Sequence, residues 1–447
     1  MARKRAAVLV LTVLGALLLT GAFLQGLAAA QDGPTHGLTL GPAPDPALGG
    51  PFPWERSAGP DAATAPASCR DGEHPTSDAK YRICMPPVWN DELVVYAHGY
   101  MAPNREIEIP EEQMSLPDSP YRVDQIINFM GYAFATTSYR TNGLAVRPAI
   151  TDLLELVDIF TAEEGAPERI YLAGVSEGGL IATLSVEQYP DVYDGGLAMC
   201  GPYGDFQGQI NHFGDFRVVF DYYFPGLIPG EPLSIPTSLM EDWPGFYTTT
   251  VQPVITDTAN VTKVNQLLTV TGVSPYVFAP PTSTASIERL LWYNVFATND
   301  GVAKLGGQPF DNQDPYRWYS GSLDDDQLND GVERISADQA ALDEIAAHYQ
   351  PTGRLDVPLV TLHTTGDPIV PYWHATQYVS MTANAGSSAL HRHIKVDGHG
   401  HCTFSFDQVN EAFTTLIQMV ADRSRVFLPI ILRGPEAAAP PARPPDW

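Results

Sequence analysis

Three positions in this 447-residue chain combine residue types that could carry out acyl transfer: Ser176, Asp367 and a histidine of the stretch Asp397-Gly398-His399-Gly400-His401-Cys402. A serine hydroxyl is a weak nucleophile near neutral pH, so an imidazole must take its proton. A carboxylate on the far ring nitrogen then fixes the tautomer and stabilises the imidazolium. Ser176 stands in Gly174-Val175-Ser176-Glu177-Gly178-Gly179. A sharp turn packs the residues two before and two after its serine so tightly that they must be small, and Gly174 and Gly178 are. Asp367 stands in Gly366-Asp367-Pro368-Ile369-Val370-Pro371, and Asp397 is a rival acid. His401 and His399 are alternative bases, two residues apart. No third ligand lies near them in sequence and no cysteine pair has zinc spacing, so no metal and no cofactor are expected.

The elements that would position these groups read as alternating strands and helices. Ile170–Ala173 is a strand, and Leu180, Ile181, Leu184 and Val186 mark the helix after Ser176. That helix turns its positive end toward the serine, where it favours a developing oxyanion. Leu93–Ala97 has the unbroken apolar run of a buried parallel strand and leads into His98-Gly99-Tyr100. Tyr81–Met85 and Tyr132–Tyr139 read as further strands. Between the last two the spacing predicts a helix over Tyr121–Met130, with Val123, Ile126, Ile127 and Phe129 on or near one face. A second helix opens at Pro148 and ends at Gly165 and Pro167. Strands follow at Gly196–Met199, Val357–His363 and Leu390–Val396, and a helix closes the series over Thr403–Ala421. This alternation means βαβ units: an α/β protein with a mostly parallel, doubly wound sheet. Asp367 follows a strand of its own, and all three candidates fall at strand C-terminal ends, where open α/β sheets bind ligands.

The sheet core is expected in two parts, 69–203 and 356–425. Residues 204–355 interrupt it with roughly 150 residues, far too long for a loop. Aromatics crowd this stretch and no strand pattern shows, so it reads as a mainly helical cap inserted between the sixth and seventh strands. Most aromatics would form its core and a minority would line an apolar substrate pocket. Leu323-Asp324-Asp325-Asp326 with Asn329 and Asp330 lacks the spacing of a calcium loop and reads as a solvated helix start.

Residues 1–30 have a basic head, an apolar run and an Ala-x-Ala end, the pattern of a signal peptide cleaved after Ala30, the alternative being an uncleaved anchor. A secreted protein is expected, with no stable membrane insertion after cleavage. Residues 31–68 form a Pro/Gly/Ala-rich leader, and 426–447 an apolar segment and a Pro/Ala-rich tail of no evident role. With 25 Lys+Arg against 52 Asp+Glu, the net charge of −27 leaves no electrostatic case for binding nucleic acid. Export permits disulfides. Of the three pairings open to four cysteines, Cys69–Cys84 with Cys200–Cys402 is preferred, the first pair for its closeness in sequence and the second for its nearness to the presumed site; four buried thiols are the alternative.

Together, Gly174–Gly178, Gly366–Pro371 and Gly400-His401-Cys402, in the order Ser…Asp…His, resemble the α/β-hydrolase superfamily. The likeness covers about 93–201 and 357–421. The long insertion makes the chain similar to secreted bacterial esterases, lipases and prolyl-oligopeptidase-like hydrolases. The resemblance implies the α/β-hydrolase fold, with Ser176 as nucleophile, His401 as base and Asp367 as acid. It also implies an oxyanion hole made by the backbone N–H groups of Glu177 and Tyr100. Cys402 beside the base is similar to feruloyl esterases and tannases, where that cysteine is bridged to one beside the nucleophile. Here Val175 stands before the serine, and Cys200 is the substitute partner. The expected activity is cofactor-independent cleavage of a small-molecule or polymeric carboxylic ester through an acyl-enzyme. A peptidase or amidase on the same triad is the alternative, and a catalytically silent binding protein a more distant one.

Overall fold

The computed structural model describes residues 69–115, 120–273 and 280–426. The expected signal peptide, the leader and the tail beyond Val426 lie outside the described residues. Eight strands form one sheet in the order β1-β2-β4-β3-β5-β6-β7-β8. They are β1 (Cys69–Glu73), β2 (Lys80–Cys84), β3 (Glu92–Ala97), β4 (Ala133–Thr137), β5 (Arg169–Val175), β6 (Gly195–Met199), β7 (Leu359–Gly366) and β8 (His391–His399). From β4 through β8 every neighbouring pair is parallel. The β1–β2 hairpin adds antiparallel strands at one edge. In that hairpin Cys69 faces Cys84 directly, and the two are joined by a disulfide.

Side chains alternate across a strand, and β3 shows both faces buried. Leu93, Val95 and Ala97 pack with Leu172 against Leu153 and Phe160 of α2 (Val146–Glu164) and Leu180 and Leu184 of α3 (Glu177–Gln188). Val94 and Tyr96 pack on the opposite face with Ala173. That face is covered by Ile127 of α1 (Val123–Phe129) and Phe413 and Leu416 of a C-terminal helix, Phe406–Val426.

Between β6 and β7 the chain is helical. α4 (Phe206–Tyr223) leads, followed by the short α5 (Thr237–Glu241), α6 (Trp243–Phe246) and α7 (Gln252–Thr256). Then come α8 (Val261–Val270), α9 (Pro280–Leu305), α10 (Asp325–Gly331) and α11 (Gln339–His348). Phe216, Phe220, Trp243, Leu267 and Leu290 make their shared core. α12 (Trp373–Asn384) joins β7 to β8, and Phe406–Val426 is α13. Among the described residues no helix is long and apolar enough to cross a membrane.

Several readings of the sequence need correction. β1 and α12 were not foreseen. β1 reads CRDGE, an edge strand with little apolar content. α12 buries only a narrow stripe, His374, Ala375, Tyr378 and Thr382. α2 opens at Val146, so Pro148 sits inside its first turn, where its missing N–H has no partner to lose. Phe129 is 94% exposed, because α1 ends there and its last turn points to solvent. Tyr316 and Trp318 are half exposed and lie outside the helical core. The stretch from Asp324 is a helix start as expected, Asp324 capping α10 by accepting from the Gln327 N–H at 3.0 Å.

Candidate active site

Ser176 sits between β5 and α3 with φ 57° and ψ −121°, a left-handed region that a non-glycine residue occupies under strain. Two glycines make the turn possible. A β-carbon on Gly174 would lie 1.9 Å from the Gly178 carbonyl oxygen, and one on Gly178 would lie 2.1 Å from that of Ala97. The Ser176 N–H donates to the Met199 carbonyl at 2.9 Å, tying the turn to the end of β6. As the first residue of α3, Glu177 has an N–H with no acceptor inside the helix.

The three candidates meet in one hydrogen-bonded line. Ser176 Oγ is 2.8 Å from His401 Nε2, and His401 Nδ1 is 2.6 Å from Asp367 Oδ2. All three are buried. Asp367 is held by its own turn, because its Oδ1 accepts the N–H groups of Ile369 and Val370 at 2.9 and 3.0 Å. Oδ2 is thereby left for the imidazole. His399 is elsewhere, at the exposed end of β8. Asp397 is exposed as well and pairs with Lys395 at 2.9 Å.

The loop that carries Asp367 is clamped from α4. Gln209 donates to the Ile369 carbonyl at 2.8 Å, and His212 Nε2 donates to that of Pro368 at 3.0 Å. Gln209 is oriented in turn by His374. The Gly204 and Asp205 N–H groups donate to His374 Nδ1, so Nε2 carries the proton and donates to Gln209 Oε1 at 2.9 Å. This pattern needs a neutral ring, and burial holds His374 well below the usual histidine range. From the other side His363 Nε2 donates to the Val370 carbonyl at 2.8 Å, and burial lowers that ring too.

His98-Gly99-Tyr100 runs against the serine. A β-carbon on Gly99 would stand 3.1 Å from Ser176 Cβ. Gln113 braces this loop: its Oε1 accepts the Gly99 N–H at 2.6 Å and its Nε2 donates to the Tyr100 carbonyl at 3.3 Å. His98 stacks on Tyr139 with centroids 3.9 Å apart, and burial pushes it down to about 4, so it stays neutral. The Tyr100 ring meets Trp292 and Tyr293 of α9, and Phe213 of α4 stacks on Tyr293 at 5.0 Å.

The Glu177 side chain reaches into a buried junction. Its Oε1 accepts the Ala145 N–H at 3.0 Å, while Oε2 is buried with no hydrogen-bond partner. The preceding residue, Leu144, donates its N–H to Asp300 of α9 at 2.7 Å, and Lys304 pairs with Asp300 at 2.9 Å. Burial raises Glu177 to about 8.

Cys200 and Cys402 form a disulfide, with Cys402 Sγ 3.4 Å from His401 Nε2. Both sulfurs are oxidised, so neither offers a thiolate to a metal. His74, Asp152 and Glu155 also lie within ligand distance of one another. Arg140 already pairs with Asp152, and Thr137 occupies the second His74 nitrogen. Sequence reasoning missed Gln113, Gln209, His374 and the buried Glu177 side chain. Each is a polar residue defined by partners distant in sequence, and only Glu177, beside the serine, had an address that could have signalled it.

The order of the sheet, the strand-turn-helix at Ser176 and the helical insertion after β6 together decide the architecture. The fold is that of the α/β-hydrolases. No family model matches this sequence, and no curated protein does. Among solved structures the chain is similar to a hyperthermophilic esterase from the archaeon Pyrobaculum calidifontis, at 12% identity and a TM-score of 0.40 over 82% of this chain and 88% of that one. It is similar to mouse alpha/beta hydrolase domain-containing protein 10, at 12% identity and a TM-score of 0.37 over 80% and 100%. It is also similar to the acylaminoacyl peptidase of Pyrococcus horikoshii, at 12% identity and a TM-score of 0.37 over 80% of this chain. Of three longer matched chains, that peptidase among them, this chain spans only 36% or 41% of the length.

Proposed function

We propose that this chain is a secreted serine hydrolase that cleaves carboxylic esters through an acyl-enzyme. The observation that carries this reading is the hydrogen-bonded line from Ser176 through His401 to Asp367. In the first half-reaction Ser176 Oγ attacks the ester carbonyl carbon while its proton passes to His401 Nε2. The carbonyl π pair moves onto oxygen, and the N–H groups of Glu177 and Tyr100 stabilise that charge. Asp367 holds the imidazolium that forms. The tetrahedral species then reforms the carbonyl and expels the alcohol oxygen, which takes the proton from His401. Water repeats the sequence on the acyl-enzyme, releasing the carboxylic acid and restoring the serine.

The test is Ser176→Ala, with folding checked by circular dichroism and turnover measured on p-nitrophenyl acetate. The variant should lose activity by about 10⁴-fold or more. Activity equal to the wild type would sink the reading. Running an aminoacyl anilide beside the ester separates an esterase from a peptidase, and a faster anilide would overturn the ester assignment.

A further inference from the structure

Three consecutive backbone N–H groups before α2 reach three different elements. That of Gly143 donates to the Met101 carbonyl at 2.8 Å, in the loop that carries Tyr100. That of Leu144 donates to Asp300 of α9 at 2.7 Å, and that of Ala145 to Glu177 Oε1 at 3.0 Å. The turn needs glycine where it starts: Gly143 has φ 75°, and a β-carbon there would stand 2.1 Å from Asp300 Oδ2. Lys304, one helical turn beyond Asp300, pairs with it at 2.9 Å and donates to the Asn142 carbonyl. Residues 142–145 thus join the elbow and the Tyr100 loop, the two sides of the proposed oxyanion hole, to a helix of the insertion.

Glu177 holds this turn to the nucleophile. It follows Ser176 directly, is only 8% exposed, and accepts the Ala145 N–H, while its Oε2 is buried with no hydrogen-bond partner. A carboxylate taken out of water needs several donors or a cation in contact. Here it has one N–H, and the nearby Lys304 is paired with Asp300. The pocket therefore suits the neutral acid, and burial raises the group to about 8. The charged and titratable groups around it are Asp300 and Lys304 from α9, Tyr100 and Tyr139 from the loops after β3 and β4, and Tyr349 just past α11. Burial raises all three tyrosines, so they stay neutral while Glu177 titrates.

Ionisation would change two things here. The charge would stand one residue from the nucleophile, where little water screens it from the oxygen that gathers negative charge in the reaction. Oε2 would also demand a donor, which only a shift of the turn or of Lys304 could bring.

Resting on the serine-hydrolase reading above, we propose that the Glu177 carboxyl is a positioning group of this reaction: as the neutral acid it ties the 142–145 turn to the elbow and fixes the spacing of the two oxyanion donors, and as the anion it opposes the oxyanion. The Asp300–Lys304 pair of α9 sets the balance between the two forms.

The test follows kcat on p-nitrophenyl acetate from about pH 6.5 to about pH 9.5, corrected for spontaneous hydrolysis, with circular dichroism confirming the fold at each point. Each protein is read as a ratio to its own value at about pH 7, so no absolute activity is assumed. In the wild type the ratio should fall by about tenfold or more, with a midpoint near about 8, and in Glu177→Gln that fall should vanish. Asp300→Asn keeps an acceptor for the Leu144 N–H and should move the midpoint down, while Lys304→Met should move it up, since each removes one charge from beside the carboxyl. A role confined to stability gives no such opposed shifts, and these two variants decide the matter should the glutamine variant fail to fold. No fall in the wild type, a fall that persists in Glu177→Gln, or midpoints that stay together or move the same way overturn the proposal. A second arm needs no turnover: Ser176→Ala carrying carboxyl-labelled glutamate is titrated by ¹³C NMR. One carboxyl should titrate near about 8 and be lost when Glu177→Gln is added, and its absence overturns the proposal. If the wild type cleaves no ester at any pH, the hydrolase reading fails, and the NMR arm alone decides whether this carboxyl stays neutral.

Discussion

Replacing Glu177 by glutamine keeps an oxygen to accept the Ala145 N–H and removes a carboxyl that can ionise. Burial raises that carboxyl from an ordinary 4.5 to about 8. The Ala145 N–H and Lys304 pull it down, and Asp300 pushes it up. Tyr100, Tyr139 and Tyr349 are the other titratable groups that feel its charge. In the unfolded chain Glu177 ionises near 4.5, while in the fold it keeps its proton to about 8. Between those values the unfolded state binds fewer protons, so stability falls as pH rises. The contribution is complete below 4.5 and lost by the time pH has passed about 8. Each pH unit in that window weakens the wild type by ~1.4 kcal/mol, on the order of 5 kcal/mol across it. Glutamine does not titrate, and all other groups are common to both proteins. In urea unfolding from about pH 5 to 8, Glu177→Gln should match the wild type at the acid end. It should then become progressively the more stable of the two. A gap that stays constant with pH, or that favours the wild type more as pH rises, refutes the argument.

Asp367→Asn should spare the loop and disable the base. The new side-chain oxygen can still accept from Ile369 and Val370, but its amide presents N–H to His401 Nδ1 and favours the wrong tautomer. Ester turnover should fall by about 10³–10⁴-fold with little change in melting temperature, and a loss below about tenfold would contradict the role given to the acid. Replacing Cys200 and Cys402 together by alanine removes a link between residues 202 apart in sequence. Loop entropy then predicts a loss of about 5 kcal/mol, read from urea unfolding without reductant, and a loss under about 1 kcal/mol would refute that origin.

The sheet was legible because parallel strands buried on both faces become apolar runs, as at Leu93–Ala97. Its C-terminal edge was legible because a serine, an aspartate and two histidines stood at strand ends. The choice between His399 and His401 rested on likeness alone. The fold separates them by turning one imidazole outward at the end of β8 and the other onto Asp367. Edge and surface elements were harder to read. β1 carries too few apolar residues to announce a strand, and Phe129 shows that an apolar residue on a helix face need not be buried. Least legible were the polar braces. Gln209 looks like any exposed glutamine until Ile369, 160 residues later, is placed beside it. The β-carbon distances at Gly174 and Gly178 show why the elbow was the opposite case: its requirement is local, so five residues suffice to state it.

The clamp from α4 bears on how this molecule could be recombined. Insertions of this kind invite treatment as exchangeable parts, to be swapped where the chain leaves and rejoins the sheet. Here a swap at residue 204 would discard Gln209 and His212, leaving the Pro368 and Ile369 carbonyls without their donors. It would also strip His374 of the two N–H groups that fix its tautomer. α4 therefore travels with the acid in any chimera. A crossover beyond Tyr223, where the helix ends, keeps these donors but must still supply partners for Arg217 and Asp215, which bond Asn294, Arg317 and Tyr319 of the later insertion.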